Sequence, residues 1–403
     1  MSAYLTEKAS EAADDGRRRI EPVADVYRQA ATAKAMGKPV VWTSVVTKPE
    51  IFWAMGAVPI GVENIDGHLA TMPGSPQHRY IDLAEEHLVA DHLCSLNKTM
   101  IGMAISGDLP KPDAMVHVVQ PCDSIRVTYS VLAETLDVPS FNIDIPLWRN
   151  ERAYNYIADE LERMVSFLEK ELGTKLDYGK LKQIIELSNR TYEIDAETNR
   201  LRKLCPSPLA VAPSPPFAIL AGTQECLDIA NQIYETGKAR AERGEGLLPE
   251  EKVRLGWFST GLGHDPGISK WLEEQYGGIV VNSMGSVHPA PIKDISSPRK
   301  IFEGLAEQIL NTGMTRDCGG VAEVWLNRVV PACREYSLDA VLLTLNVGCK
   351  NAWALAKLLK DEITDKVGIP TLVVEADLLD GRVVSGDSIR ESISEFFATM
   401  LAA

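Results

Sequence analysis

The chain has 403 residues, of which 45% are hydrophobic and 24% are charged, and its formal net charge is −15 at pH 7. This length and composition predict a globular protein of more than one domain, each of about 150–200 residues. A negative charge without a Lys/Arg block argues against nucleic-acid binding, and the lack of a signal peptide or an unbroken apolar stretch argues against a membrane protein. We therefore expect a cytoplasmic protein.

Three regions are predicted along the chain: an α/β domain with a helical arm over 1–150, a helical region over 151–245, and a second α/β domain over 246–403. The predicted elements of the first region are a helix over 1–36, strands over 40–44 and 58–62, and helices over 49–56 and 81–103. Those of the second are a helical hairpin over 151–203, a proline-rich joint over 205–216 and a helix over 219–243. Those of the third begin with strands over 253–258 and 279–281 and helices over 267–276, 299–312 and 318–336.

Two distant stretches share one pattern and place a cysteine at the same point. Residues 113–144 contain Cys122 and residues 339–375 contain Cys349. Each stretch reads as an apolar strand, a turn with the cysteine, an amphipathic helix and a second apolar strand, which is a βαβ unit. The cysteine lies where the strand ends and the helix begins, the edge of an open α/β sheet at which ligands bind. A helix N-terminus also favours negative charge, so both thiolates would be stabilised there.

The chain contains seven cysteines and no Cys-x-x-Cys, which argues against zinc-ribbon and thioredoxin patterns. Disulfides are not expected in the cytoplasm, and a free cysteine is most often a small buried hydrophobe. The four interpreted in this way are Cys205, Cys226, Cys318 and Cys333. The remaining three, Cys94, Cys122 and Cys349, are candidate metal ligands. Three thiolates hold three irons of a [4Fe–4S] cube and leave the fourth iron open.

Polar residues at the ends of predicted strands are further candidates. Glu63 follows the strand over 58–62 and is placed as a general base, although an exposed loop glutamate is the commoner case. Ser286 and His288, in the loop over 285–289, would contact a substrate, with a solvated loop histidine equally common. The segment 259–264 is similar to a phosphate-binding turn but lacks the third glycine, so a plain strand–helix turn is preferred. The chain has no P-loop, and any ATP hydrolysis would belong to a partner.

The chain resembles the catalytic subunits of 2-hydroxyacyl-CoA dehydratases, which are homologous to ATP-dependent benzoyl-CoA reductases. The resemblance runs from about Gly37 to Arg382 and rests on the contexts of the three cysteines and on several short segments. These segments are Gly-Lys-Pro-Val-Val-Trp at 37–42, Glu-Asn at 63–64, Pro-Cys at 121–122, Gly-Ser-Val-His-Pro at 285–289, and Leu-Asn-Val-Gly-Cys-Lys at 345–350 followed by Gly-Ile-Pro at 368–370.

The resemblance implies two Rossmann-like α/β domains with parallel sheets and a [4Fe–4S] cluster between them. The residues that it implies are Cys94, Cys122 and Cys349 as cluster ligands, Glu63 and Ser44 as catalytic residues, and Ser286, His288 and Asn346 as cofactor-binding residues. It also implies an acyl-CoA substrate, a homologous second subunit and a separate ATP-dependent iron–sulfur activator, with no nucleotide bound to this chain.

The implied reaction removes water from a 2-hydroxyacyl thioester, whose β-proton is not acidic. One electron added to the thioester carbonyl gives a ketyl radical anion, which expels the α-hydroxyl group. The β-proton of the resulting enoxy radical is acidic enough for a carboxylate base. Potentials of iron–sulfur clusters reach about −700 mV, which suits such a reduction.

Four alternatives stay open at this point. The chain could be a benzoyl-CoA-type reductase subunit, or a double-cubane cluster reductase, which extra cysteines near the site would favour. It could hold a structural or electron-relay cluster and leave catalysis to its partner. It could also be a bilobed α/β binding protein without a cluster, in which the cysteines are merely buried.

Overall fold

The computed structural model of the chain describes residues 32–64, 77–211, 217–259, 261–284, 286 and 288–402. The predicted helix over 1–36 therefore lies almost wholly outside the described residues, as do 212–216 of the proline-rich joint. Within the described ranges the strands form two four-stranded parallel sheets, with helices packed around both. The predicted α/β class with two Rossmann-like parallel sheets and helices between them is confirmed.

The two sheets have the same strand order. The first consists of β1 (Val40–Thr43), β2 (Val58–Gly61), β3 (Ala114–Val118) and β4 (Ser140–Ile143) in the order β2-β1-β3-β4. The second consists of β5 (Val253–Trp257), β6 (Gly278–Ser283), β7 (Ala340–Asn346) and β8 (Thr371–Ala376) in the order β6-β5-β7-β8. In each sheet the order reverses between the two central strands, and ligands of open α/β sheets bind beyond the carboxyl ends of strands at such a point.

The helices surround these sheets. They are α1 (Pro49–Ala54), α2 (Gln77–Glu86), α3 (Ser95–Ser106), α4 (Asp123–Leu136), α5 (Glu151–Leu172), α6 (Tyr178–Leu201), α7 (Phe217–Leu220), α8 (Gln224–Glu242), α9 (Ile268–Tyr276), α10 (Pro298–Asn311), α11 (Gly313–Cys318), α12 (Ala322–Glu335), α13 (Lys350–Val367) and α14 (Gly386–Ala402). None of the described helices is both long and apolar enough to cross a membrane.

Apolar patterning accounts for the central strands and for the helical hairpin. Every residue of β1, β3, β5 and β7 is buried, as expected for parallel strands covered by helices on both faces. Helix α5 begins where the Asn150 side chain accepts a hydrogen bond from the Ala153 N–H, and α6 begins where Asp177 accepts one from Lys180. Such caps satisfy amide groups that have no partner within the helix, so they fix where each arm of the predicted hairpin begins.

The single helix predicted over 81–103 is wrong. The structure has two helices there, α2 and α3, and the chain between them turns at Leu88, whose φ is +66° and whose side chain is 94% exposed. Apolar residues continue through this break at nearly helical spacing, which is why the sequence pattern did not reveal it. The break matters because it places Cys94 at the N-terminus of α3.

Helix α10 packs differently from its predicted place in the second α/β domain. Its apolar side chains Ile301, Leu305 and Ile309 share a core cluster with Val41 of β1 and Leu161 of α5. The chain therefore leaves the second sheet after β6, covers part of the first, and returns to form β7. The helix predicted over 318–336 also differs, because the chain forms α11 up to Cys318 and begins α12 only at Ala322.

Candidate functional site

The three candidate ligands occupy equivalent positions in the fold. Cys94, Cys122 and Cys349 are the N-cap residues of α3, α4 and α13, and none of the three makes a side-chain capping hydrogen bond. Cys122 follows β3 and Cys349 follows β7, so each lies at the reversal point of its own sheet. The positive ends of three helix dipoles therefore point to the region of these thiols, which favours their ionised form.

Direct contacts join the turns that carry these cysteines. The Asn346 side-chain amide donates a hydrogen bond to Cys94 Sγ at 3.2 Å. The backbone of Gly348 lies so close to Cys94 that a Cβ at Gly348 would stand 2.5 Å from Cys94 Cα and 2.7 Å from its N. Beside them, Lys350 at the start of α13 forms an ion pair with Asp123 at the start of α4. Cys94, Cys122 and Cys349 are thereby brought to one junction between the sheets.

The thiols at this junction have raised pKa values. Burial is the main cause for all three, and for Cys122 the charges of Cys94 and Cys349 add to it, so that its pKa lies well above the usual value. Hydrogen bonds from Leu96 and Asn346 to Cys94, and from backbone amides of α13 to Cys349, act in the opposite direction. Buried thiols whose charges oppose one another need a bound positive group to be ionised together.

The donor set fits a cluster better than a single ion. Among the residues that the structure describes, no three His, Cys, Asp or Glu side chains are close enough to share one metal ion. A mononuclear zinc site needs its sulfur atoms about 2.3 Å from a common metal. Three thiols on helix N-termini have the donor chemistry of an iron–sulfur cluster.

Glu63 is buried beside this junction. It follows β2, only 5% of it is exposed, and its Oε2 accepts a hydrogen bond from the Val45 N–H at 2.5 Å. Its Oε1 is buried and has no hydrogen-bond partner. Burial raises the pKa of this carboxyl to about 8, and its charge is one of those that act on Cys122. The carboxyl group thus has one free oxygen and an affinity for protons in the range useful for acid–base catalysis.

Ser44 has a structural hydrogen bond. It is fully buried at the end of β1, and its Oγ accepts a hydrogen bond from the Val118 N–H at 3.1 Å. Its own N–H donates to the Val116 carbonyl. Ser44 therefore joins the ends of β1 and β3 at the reversal point of the first sheet.

Ser286 and His288 lie in the loop after β6. The Ser286 hydroxyl donates to the Ser283 carbonyl and accepts from the Ser283 N–H, both at 2.9 Å, so it closes a turn. The His288 Nδ1 is 2.8 Å from Asp195 Oδ2 on α6, and its ring centre is 4.3 Å from that of Phe217. Asp195 orients the imidazole, a role that the sequence did not indicate because this aspartate belongs to a long amphipathic helix.

A buried polar network adjoins His288 and was also missed. Lys48 Nζ donates to the Tyr192 hydroxyl at 3.2 Å, and burial lowers the pKa of this lysine. Ser188 donates to Glu50 Oε1 at 2.8 Å, while Glu50 Oε2 is buried without a hydrogen-bond partner. These residues join α1 to α6. From sequence alone, a polar residue on a helix is assigned to the solvent-exposed face, so no local sequence pattern would have identified these residues as buried.

The remaining candidates are divided between structural positions and the site. Ser259 bonds to the Thr344 hydroxyl at 2.8 Å and joins the end of β5 to β7. Cys226 and Cys333 are buried in core clusters, and Cys205 is exposed. Cys318 is the last residue of α11, and the charge of its thiol is one of those that raise the pKa of Cys122.

Comparison with known proteins gives a family and relatives that match most of the chain. The family profile for the 2-hydroxyglutaryl-CoA dehydratase D-component matches residues 44–400. The chain is 27% identical over 408 aligned positions to the (R)-2-hydroxyisocaproyl-CoA dehydratase alpha subunit of Clostridioides difficile, covering 94% of each chain. It is 24% identical to the lactoyl-CoA dehydratase alpha subunit of Anaerotignum propionicum, covering 89% of this chain and 90% of the relative. It is 21% identical to one of the subunits of the benzoyl-CoA reductase of Thauera aromatica, covering 78% of each. The profile spans most of the chain, including the whole second sheet and three of the four strands of the first, and the chain therefore belongs to the 2-hydroxyglutaryl-CoA dehydratase D-component family.

Proposed function

We propose that the chain is a subunit of a radical-type (R)-2-hydroxyacyl-CoA dehydratase, which removes water from the acyl thioester to give an enoyl-CoA. The observation that carries this proposal is the meeting of Cys94, Cys122 and Cys349 on three helix N-termini, with the buried carboxyl of Glu63 nearby. Two relatives that match almost their full length are named as alpha subunits of acyl-CoA dehydratases.

In this proposal the three cysteines hold a [4Fe–4S] cluster. When bound, the cluster supplies one electron at low potential and a Lewis-acidic iron for a substrate oxygen. Backbone amides at the start of α13 and the Asn346 amide stabilise the thiolates that face it. Burial of Glu63 and partial burial of the three cysteines limit the access of water, which would otherwise protonate a reactive radical.

Glu63 is the proposed base. Its free Oε1 takes the β-proton of the substrate radical, while the Val45 N–H holds Oε2 in place. A pKa of about 8 makes the carboxylate a stronger base than an exposed glutamate and leaves a useful fraction ionised near neutral pH. The α-hydroxyl group leaves as hydroxide and takes up one proton to give water, and Glu63 then releases the β-proton that it received, so the protons balance. The electron added at the start is recovered from the product radical, so the net reaction consumes no reductant.

His288 is proposed to contact the thioester or CoA part of the substrate. Its Nδ1 is engaged by Asp195, which leaves Nε2 as the nitrogen available to a ligand. Ser286 contributes indirectly, because its hydroxyl shapes the turn that carries this histidine.

Two partners belong to the proposal. The relatives are named as alpha subunits, which supports a second subunit for this chain, and we propose that it is homologous. Because the sequence contains no P-loop, the electron would come from a separate ATP-hydrolysing iron–sulfur activator.

The test is anaerobic purification followed by analysis of metal content. The wild-type chain should contain about four irons and four sulfides, as a cube requires. Cys122→Ala and Cys349→Ala should lose the cluster. Cys226→Ala, which changes a buried thiol in the core of the first sheet that is not a candidate ligand, is the control and should retain it.

Activity is then assayed with a beta-type partner subunit, an activator, ATP and a panel of (R)-2-hydroxyacyl-CoA thioesters. Formation of an enoyl-CoA only in the complete mixture supports the proposal. Turnover by iron-free chain would exclude it. Consumption of reducing equivalents in proportion to product would instead assign the chain to the benzoyl-CoA reductase type, to which one relative belongs by name.

A further inference from the structure

We propose that Cys318 is a fourth thiol ligand of the centre formed by Cys94, Cys122 and Cys349, and that it occupies the fourth iron when no substrate is bound. This role depends on the cluster of the proposed function. It goes beyond that function, which uses three cysteines and leaves the fourth iron without a protein ligand.

Backbone contacts place Cys318 beside Cys122. Cys318 is the last residue of α11, and Gly319 follows it. A Cβ at Gly319 would stand 3.2 Å from Pro121 Cβ and 3.5 Å from Pro121 Cα. The residue after Cys318 is thus packed against the residue before Cys122, so the two cysteines occupy adjoining turns.

The side chain of Cys318 also interacts electrostatically with the candidate ligands Cys122 and Cys349. Its charge is among those that raise the pKa of Cys122, and the charge of Cys349 is, after burial, the largest cause that raises the pKa of Cys318. Its thiol donates a weak hydrogen bond to the Met284 sulfur at 3.5 Å, a partner that metal binding could replace. By contrast, neither Cys226 nor Cys333 is among the groups whose charge raises the pKa of Cys122.

Helix α11 is held firmly. The carboxyl of Asp317, directly before Cys318, is fully buried and accepts hydrogen bonds from Arg316 Nε and Arg328 Nε, each at 2.8 Å. Arg149 donates to the Thr315 carbonyl at 2.6 Å. Contacts with three arginines therefore fix the position of this six-residue helix and of the thiol at its end. Burial and the charge of Cys349 raise the pKa of Cys318, and the guanidinium of Arg328 acts in the opposite direction.

The chemistry of the cluster explains why a fourth thiol would be useful. Three cysteines leave one iron exposed to any small ligand, whereas four thiolates give a closed cube. When a substrate binds, the Cys318 thiolate leaves the iron with its electron pair and is protonated at sulfur. A substrate oxygen donates its own electron pair in its place, so no oxidation state changes. Cys318 would thus protect the iron until a substrate arrives.

The test compares anaerobic, ⁵⁷Fe-enriched wild-type chain with Cys318→Ala by Mössbauer spectroscopy, without substrate. We expect four equivalent sulfur-coordinated irons in the wild type. In Cys318→Ala we expect the same iron content with one iron distinct from the other three. Cys333→Ala, in the core of the second sheet, is the control and should match the wild type.

A second measurement uses the unmodified protein, in case the variant does not fold. Iodoacetamide labelling followed by mass spectrometry should modify Cys318 only after the cluster is removed, whereas exposed Cys205 should react in both states. One distinct iron in the wild type, or Cys318 labelled in the cluster-loaded chain, would overturn the inference and leave the proposed function intact. Eight irons per chain would overturn it in favour of a double cubane. An iron-free wild-type chain would refute both proposals.

Discussion

Replacing Gly348 by alanine tests how the two sheets are joined at the candidate site. Gly348 precedes Cys349, and its backbone contacts Cys94 in the turn before α3. A methyl group there would stand 2.5 Å from Cys94 Cα, where an ordinary contact is 3.4–4 Å. The neighbour is backbone, which cannot rotate away as a flexible side chain can. One of the two turns must therefore move.

The required displacement is roughly 1 Å, and forcing an extra methyl group into a packed site costs about 1–3 kcal/mol. Such a movement also strains the hydrogen bond from Asn346 to Cys94 Sγ, whose length is 3.2 Å. The first expected result is a decrease of about 1–3 kcal/mol in the free energy of unfolding of the iron-free chain. The second is a loss of most of the iron bound by the anaerobically purified chain, because one ligand leaves its position.

Urea denaturation and iron analysis measure these two effects separately. Gly261→Ala is the matched control, because a Cβ at Gly261 has no neighbour within 4 Å. If Gly348→Ala resembles this control in both unfolding free energy and iron content, Gly348 does not touch Cys94 and the proposed junction of the sheets is incorrect.

Three further predictions concern buried polar groups. The Glu63→Gln variant should keep its iron, and its dehydration rate should fall by about 10²–10⁴-fold. The wild-type rate should rise with pH towards 8, because the base is the deprotonated carboxyl, whose pKa is about 8. A variant with near-normal turnover would exclude this carboxyl as the base. Burial lowers the pKa of His117 to about 4, below its unfolded value of 6.5. The neutral histidine therefore makes its full contribution to the free energy of unfolding above pH 6.5, and this contribution is lost as the pH falls towards 4. Urea unfolding should show a loss of about 2 kcal/mol from this histidine between pH 7 and pH 5, absent in His117→Phe, and equal pH dependence in both proteins would contradict it. The Ser44→Ala variant should leave the buried Val118 N–H without its acceptor. The free energy of unfolding should fall by about 1–3 kcal/mol, with the iron content unchanged. An unaltered unfolding curve would show that this hydrogen bond does not contribute to stability.

The two βαβ units could be predicted because their signals are local. The runs at 114–118 and 340–346 are mostly apolar, and each is followed within a few residues by a cysteine and an amphipathic helix. That pattern is sufficient to place Cys122 and Cys349 at equivalent turns. It also indicated the fold class, since parallel strands with helical crossovers form open sheets.

The features that the sequence did not indicate depend on contacts between distant segments. Cys318 reads as an ordinary cysteine near a helix end, and only the packing of Gly319 against Pro121 brings it to the other thiols. Asp195 reads as a solvated position on α6, yet it holds His288 from 93 residues away. The break before Cys94 was hidden for a different reason, because the apolar spacing continues through a turn that only backbone geometry reveals.

The position of α10 has a consequence for proteolysis and for dissection of the chain. Residues 243–245 form an exposed turn after α8, a natural point for a protease to cut between the two sheets. Cleavage there would not release two independent halves, because α10 comes from the carboxy-terminal piece and covers the core around β1 and α5. An amino-terminal fragment expressed alone would expose the surface that Ile301, Leu305 and Ile309 normally cover and would tend to aggregate. A nicked chain should therefore stay associated until it is denatured.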